Sequence, residues 1–74
     1  MSTSNLIISV YKTGISESDL IRLQPALEAF DGIVRWTVDL EDWENILRIE
    51  SNIAIEIEII KLLHSLNIEC DKLL

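Results

Sequence analysis

The chain has 74 residues, of which 49% are hydrophobic and 26% are charged. A domain of this size has one core and buries only about 60% of the surface that its unfolded chain exposes. Thirteen acidic residues against six basic ones give a net charge of -7, and the cations are spread singly along the chain, which disfavours binding to nucleic-acid phosphates or anionic lipids. We therefore expect one soluble domain, with its core at about residues 5–72, that binds no nucleic acid and inserts into no membrane.

The N-terminus has no pattern of a targeting signal. Met1 to Asn5 is a short polar lead-in, without a basic patch followed by an apolar segment and a cleavage site. The sequence therefore predicts a cytoplasmic protein. Its single cysteine, Cys70, cannot form an intramolecular disulfide and is typical of a small buried hydrophobic residue.

The first predicted element is a strand from Asn5 to Lys12, which is rich in β-branched residues and ends at the turn pair Thr13-Gly14. Both of its alternating sets contain apolar side chains, as a central strand would. These sets are Leu6, Ile8 and Val10 on one face and Ile7, Ser9 and Tyr11 on the other.

The second predicted element is a helix that begins at Ser16. Ser16 and Asp19 form a Ser-x-x-Asp capping pattern, in which the hydroxyl and the carboxylate bind free amides of the first turn. Pro25 removes one backbone hydrogen bond and predicts a kink between Ile21 and Pro25, and Asp31-Gly32 ends the helix. Its buried stripe has helical spacing and consists of Leu20, Leu23, Leu27 and Phe30.

Two further strands are predicted to form a hairpin. The first runs from Ile33 to Leu40, with Trp36 and Val38 on one face, and the second runs from Ile46 to Glu50. A polar turn from Glu41 to Asn45 joins them.

The segment from Ile53 to Leu66 alternates like a strand at its start, but its length favours a second helix. Ser51-Asn52 are residue types that cap helices, and Asn67 suits the left-handed position that ends one. Ile68 to Lys72 then forms a fourth strand. The order βαββαβ predicts an α+β ferredoxin-like sandwich, in which both helices lie on one face of a four-stranded antiparallel sheet.

Several short motifs fall at the spacing of a known family. They are Ala26-Leu27, Gly32-Ile33, Val38-Asp39-Leu40, and the stretch from Ile59-Ile60 to Asn67-Ile68. Over Leu6 to Asp71 the chain thereby resembles the heavy-metal-associated domain, the module of copper chaperones and of the N-terminal arms of metal-transporting ATPases. The resemblance implies the same ferredoxin-like fold and a metal loop, Gly-Met-x-Cys-x-x-Cys, between the first strand and the first helix.

This chain departs from the family at the metal loop. Counting back from Ala26-Leu27, the two cysteines would stand at Ser16 and Asp19, and the methionine at Gly14. Copper(I), and zinc in sites of this type, need thiolates, which a hydroxyl and one carboxylate do not replace. We therefore expect no metal and no cofactor at this loop.

No other motif indicates a metal site or catalysis. His64 and Cys70 are too few for a closed metal site, and the acidic turn from Asp39 to Glu44 lacks the glycine and glutamate spacing of a calcium loop. The serines of the first loop have no histidine nearby in the sequence. An acylphosphatase-like enzyme would need an arginine there, and Thr13 to Asp19 contains none. We expect no enzyme.

The second helix contains more isoleucine than one buried face needs. Its core stripe is predicted to be Ile55, Ile59, Leu62, Leu63 and Leu66. Ile53, Ile57 and Ile60 then form a second stripe, which is either ordinary exposed hydrophobic surface or a contact surface for a partner. Trp43 in the polar turn favours the second interpretation, because exposed tryptophans commonly anchor interfaces.

The leading hypothesis is a non-enzymatic module that acts through a protein partner or as a homodimer. A second hypothesis is a regulatory module similar to amino-acid-sensing ACT domains, with a small ligand at a dimer interface near Gly14 and the first helix. A third keeps metal transport, with ligands supplied by a partner.

Overall fold

A computed structural model of the chain describes residues 6–41 and 43–73. Its elements are β1 (Ile7–Thr13), α1 (Glu17–Glu28), β2 (Ile33–Asp39), β3 (Ile46–Ser51), α2 (Glu56–Ser65) and β4 (Cys70–Lys72). The strands form one antiparallel sheet in the order β2-β3-β1-β4. The predicted α+β ferredoxin-like fold is confirmed, and β1 is a central strand. The lead-in Met1 to Asn5, which includes the predicted start of the first strand, lies outside the described residues.

The core lies between the sheet and the two helices. Tyr11 of β1 is fully buried and pairs with Leu47 of β3 on one side and with Lys72 of β4 on the other. Trp36 and Val38 of β2 pack against this core, on the face that the sequence predicts. The buried apolar residues are Tyr11, Ile15, Leu23, Leu27, Leu47, Ile49, Ile55, Ile59, Leu63 and Ile68.

Helix α1 begins after Ser16, as predicted, and runs without interruption through Pro25. The proline removes the amide that would bind the carbonyl of Ile21. Both residues are exposed, so water reaches that carbonyl and lowers the cost of the lost bond. The predicted kink stays a prediction. Leu23 and Leu27 are fully buried, as the stripe requires.

Helix α2 begins later than the sequence predicts. The predicted start at Ile53 behind a Ser51-Asn52 cap is wrong, because the helix begins at Glu56 and its N-cap residue, Ile55, makes no side-chain cap. Ser51 is instead the fully buried last residue of β3, where its hydroxyl donates to the Ile53 carbonyl at 2.9 Å. A hydroxyl buried in the sheet cannot cap a helix.

The C-terminal end of α2 agrees better with the prediction from the sequence. The helix ends at Ser65, and Asn67 adopts the predicted left-handed conformation with φ 61°. The amide of Ile68 bonds the Leu63 carbonyl at 2.8 Å, which extends the helix end. For this reason β4 begins at Cys70, two residues later than predicted.

Gly32 lies between α1 and β2 and contacts the segment that precedes α2. It has φ +102°, which side chains rarely adopt, and a β-carbon there would lie 2.6 Å from Cγ1 of Ile53. Its carbonyl accepts a hydrogen bond from the Asn52 amide at 2.8 Å. Only glycine allows this close approach without strain.

Candidate functional site

The loop before α1 is built as a helix cap. The Asp19 amide donates to Ser16 Oγ at 3.3 Å, and the Ser16 amide donates to Asp19 Oδ2 at 3.0 Å. Arg22 donates to the other carboxylate oxygen, Oδ1, at 2.8 Å. The Ser16 amide, helped by Arg22, holds the pKa of Asp19 below its usual value. Ser16 and Asp19, where the resemblance would place two cysteines, therefore make the hydrogen bonds of a capping box.

These donors do not fit the metal that the family resemblance implies. Ser16 offers a neutral hydroxyl, and Asp19 is engaged by the cap and by Arg22. Cys70 lies on β4 opposite Thr13, and burial raises the pKa of its thiol, which disfavours the thiolate that binds metal. Among residues 6–41 and 43–73, no group of three or more His, Cys, Asp or Glu is placed to hold a metal ion.

Thr13 and Asn45 fasten this loop to the β2–β3 hairpin. Thr13 Oγ1 donates to the Asn45 carbonyl at 2.6 Å, and Asn45 Nδ2 donates to the Ile15 carbonyl at 2.8 Å. The Thr13 amide also bonds the Glu44 carbonyl at 3.2 Å. Sequence analysis did not single out these two residues. The available signal was an asparagine at the end of a hairpin, where left-handed backbone is common, and Asn45 has φ 49°.

Trp43 lies at the same end of the sheet as this loop. Its side chain is 85% exposed, and Lys12 Nζ lies 5.5 Å from the centre of its ring. Lys12 also pairs with Glu44 at 3.7 Å. Ile53 follows the opposite end of β3, and the six residues of that strand span about 20 Å. Trp43 and Ile53 therefore do not belong to one contact surface.

The three isoleucines of the predicted stripe have different environments. Ile53 and Ile57 are 51% and 67% exposed, but Ile60 is partly buried and packs against the core. Two of the three are thus available for contact with a partner.

Ile53 and Ile57 belong to a larger apolar surface that sequence analysis did not identify as one unit. The Ser51 hydroxyl lies within 3.5 Å of the carbonyls of Ile7 and Ile53, which places β1 beside the start of α2. Beyond β4, the Leu73 amide bonds the Val10 carbonyl at 2.7 Å. We call the exposed hydrophobic residues of these segments the apolar end, namely Leu6, Ile7, Ile8, Ile53, Ile57 and Leu73. Strand alternation places Ile8 and Leu73 on the sheet face away from the helices, whereas Ile53 and Ile57 lie just before and within the first turn of α2.

Carboxylates border the apolar end. Glu50 lies opposite Ile8 in the sheet, and Glu58 follows Ile57 in α2. Asp31 precedes Gly32, which lies against Ile53.

Glu56 and Lys72, at the start of α2 and the end of β4, pair with each other at 2.6 Å. This hydrogen bond to Glu56 raises the pKa of Lys72, which keeps the amine charged and the pair neutral overall.

The opposite end is acidic. Its carboxylates come from the first turn of α1, the hairpin and the start of β4, and we call this group the acidic end: Glu17, Asp19, Glu41, Glu44, Glu69 and Asp71. Only Lys12 and Arg22 pair with carboxylates there among the described residues. An open cleft of about 510 Å³ between α2 and β4 is lined by His64, Asn67, Ile68, Glu69, Cys70 and Asp71. A smaller one of about 90 Å³ reaches Gly14.

No family profile, curated protein or solved structure matches the chain. Within the described residues, no helix is long and apolar enough to cross a membrane.

Proposed function

We propose that the chain is a non-enzymatic protein-interaction module, similar in build to heavy-metal-associated domains but without their metal site. It acts through a protein partner or through a second copy of itself. The observation that carries this proposal is the apolar end, which contains six of the nine large hydrophobic side chains found exposed in the described part of the chain. Concentrated apolar surface of this kind marks interaction sites, whereas single exposed hydrophobic residues are ordinary.

The size of the apolar end determines how much binding free energy its burial can contribute. Complete burial of a leucine or isoleucine contributes roughly 1.5 to 3 kcal/mol, so covering an exposed half contributes about 1 kcal/mol. The six residues together contribute about 6 kcal/mol, against an association cost of roughly 4 to 15 kcal/mol. A stable complex therefore needs apolar surface on the partner as well.

The capped loop supports the part of the proposal that concerns metal. The side chains of Ser16 and Asp19 accept hydrogen bonds from each other's backbone amides, and Asn45 fixes the loop to the hairpin. A metal ion would have to break the capping box and would gain only oxygen donors, which copper(I) does not favour.

Competition with a chromogenic chelator tests this part. The wild type should remove neither copper(I) nor zinc from the chelator. Ser16→Cys combined with Asp19→Cys should bind one metal ion, because the side chains at these positions meet at 3.0 Å, whereas Ser16→Cys alone should bind far more weakly. A tight one-to-one complex of the wild type would refute the absence of a metal site.

Binding of the dye 8-anilinonaphthalene-1-sulfonate tests the apolar end. The wild type should enhance the dye's fluorescence, and Ile57→Glu should reduce this enhancement. Ile21→Glu is the matched control, because Ile21 is 76% exposed on α1, away from the apolar end. If both variants behave alike, the apolar end is not a distinct binding surface.

Small-ligand binding, as in ACT domains, is the second candidate, and the cleft between α2 and β4 is the observation that favours it. Its lining includes the carboxylates of Glu69 and Asp71, which favour a ligand with an amine. A thermal-shift screen with amino acids tests it. Metal transport with ligands supplied by a partner stays a prediction.

A further inference from the structure

We infer that β4 and the first turn of α2 form a latch, which opens as one unit and is held closed by the ion pair between Glu56 and Lys72. The other three strands, α1 and the rest of α2 stay folded while the latch is open. No partner is needed for this opening, because it follows from how weakly the two segments are held.

The start of α2 has little local stabilisation. Its N-cap residue, Ile55, makes no side-chain cap, whereas a capping box closes the first turn of α1. Ile57 and Glu58 are exposed, so water competes for the free amides of this turn. Isoleucine also has a lower helix propensity than unbranched residues, and the segment from Ile53 to Ile59 alternates like a strand. Tertiary contacts must therefore hold the first turn in place.

Strand β4 is also weakly held. It has only three residues and, within the described part of the chain, pairs on one side only, with β1. Hydrogen bonds flank it at both ends, from the Leu73 amide to the Val10 carbonyl at 2.7 Å and from the Gly14 amide to the Glu69 carbonyl at 3.0 Å. Segments with few contacts and exposed backbone open at low free energy. Ile68 is buried, so it bounds the segment that opens.

The ion pair joins these two weak segments. Lys72 Nζ lies 2.6 Å from Oε2 of Glu56, and the side chains are 40% and 41% exposed, so the pair dissociates in water at low cost. Lys72 lies opposite Tyr11, whose buried hydroxyl makes no hydrogen bond of standard geometry with the described residues. Opening gives this hydroxyl access to water, which favours the open state. Because Cys70 and Asp71 of β4 also line the cleft, opening changes the shape of that cleft.

Native-state hydrogen exchange of the full chain, followed by NMR, tests the latch. The reporters are three amides: that of Ile59, which bonds the Ile55 carbonyl at 2.9 Å, and those of Gly14 and Leu73. The amide of Ile68, which bonds a carbonyl within α2, is the internal reference. The protection factors of the three reporters should be at least about tenfold lower than that of Ile68.

Substitutions on either side of the latch should affect all three reporters alike. Lys72→Met removes the ion pair and should lower their protection factors about two- to fivefold. Ile57→Gly weakens the first turn of α2, leaves Glu56 and Lys72 unchanged, and should lower them about twofold. Ile21→Gly is the matched control, because it changes an exposed isoleucine of α1, and it should leave the three reporters unchanged. Circular dichroism verifies that the variants fold.

Four results would overturn the latch. If Ile57→Gly lowers the protection of Ile59 but not that of Gly14 and Leu73, the two segments open separately. If Lys72→Met changes none of the reporters, the ion pair does not hold the segments closed. If the reporters are as protected as Ile68, the domain opens only as a whole. If Ile21→Gly lowers their protection as much as Ile57→Gly, they exchange through global unfolding.

Discussion

Substitutions of Asn45 should separate two contributions to the free energy of unfolding, namely its side-chain hydrogen bond and its left-handed backbone. Its Nδ2 donates to the Ile15 carbonyl at 2.8 Å in a partly buried position, and its backbone has φ 49°. Asn45→Gly removes the hydrogen bond alone and leaves the carbonyl without its donor, at a cost of about 1 to 2 kcal/mol. Asn45→Ala also places a β-carbon in left-handed backbone, which adds about 1 kcal/mol.

Urea denaturation measures both costs. Asn45→Ala should unfold with a free energy about 2 to 3 kcal/mol below that of the wild type, and Asn45→Gly should fall about midway between them, with unchanged m-values. Asn67 is the matched control, because it has φ 61° but its side chain makes no hydrogen bond to the described residues. Asn67→Ala should cost about 1 kcal/mol and Asn67→Gly almost nothing.

Two results would refute the reasoning about Asn45. If glycine and alanine cost the same at this position, the left-handed backbone does not contribute. If neither substitution costs more than about 0.5 kcal/mol, the hairpin does not fasten the loop.

Three further predictions concern single side chains. Ser16→Ala should lower the free energy of unfolding by about 1 kcal/mol and Ser18→Ala by much less, since only Ser16 is the N-cap; equal effects in chemical denaturation would place the cap elsewhere. The pKa of Asp19 is lowered in the folded state, so its stabilisation is present above the ordinary aspartate pKa near 3.9 and is lost as pH falls through the folded-state value. Acid denaturation of Asp19→Asn should therefore depend less on pH in that range than that of the wild type, and an unchanged dependence would contradict this. The buried Tyr11 hydroxyl lies near the Ser9 hydroxyl but makes no hydrogen bond of standard geometry with the described residues, and burial, which outweighs the opposing effect of Ser9, raises its pKa. Tyr11→Phe should accordingly raise stability by about 1 kcal/mol in urea, and a loss would mean that the hydroxyl is hydrogen-bonded.

The sequence predicts those parts of the fold that depend on neighbouring residues. The Ser16–Asp19 cap lies within one helical turn, and the left-handed position of Asn67 follows from its own side chain. Ser51 has the same chemical type as a capping residue, yet tertiary burial places it in β3. No local pattern distinguishes a serine that caps a helix from one that is buried in a strand, so the start of α2 could not be predicted.

The candidate site was predictable only in part, for a geometric reason. Ile53 and Ile57 lie four residues apart, so the predicted helix groups them, although Ile53 lies before the start of α2. Ile7 joins them only through the register that places it opposite Ser51. Leu73 joins through its bond to Val10. Contacts between segments far apart in sequence are fixed by sheet pairing, which the sequence pattern does not specify at the level of single residues.

The capped loop has an electrostatic consequence at the acidic end. Residues at the N-cap and N3 positions face each other across the first helical turn. At this spacing two thiolates could bind one metal ion, but the side chains of Ser16 and Asp19 instead bind each other's backbone amides. The positive helix terminus is then satisfied by Asp19, a residue of the chain itself. Glu44 of the acidic end pairs with Lys12, and the carboxylates nearby repel one another and any other acidic protein.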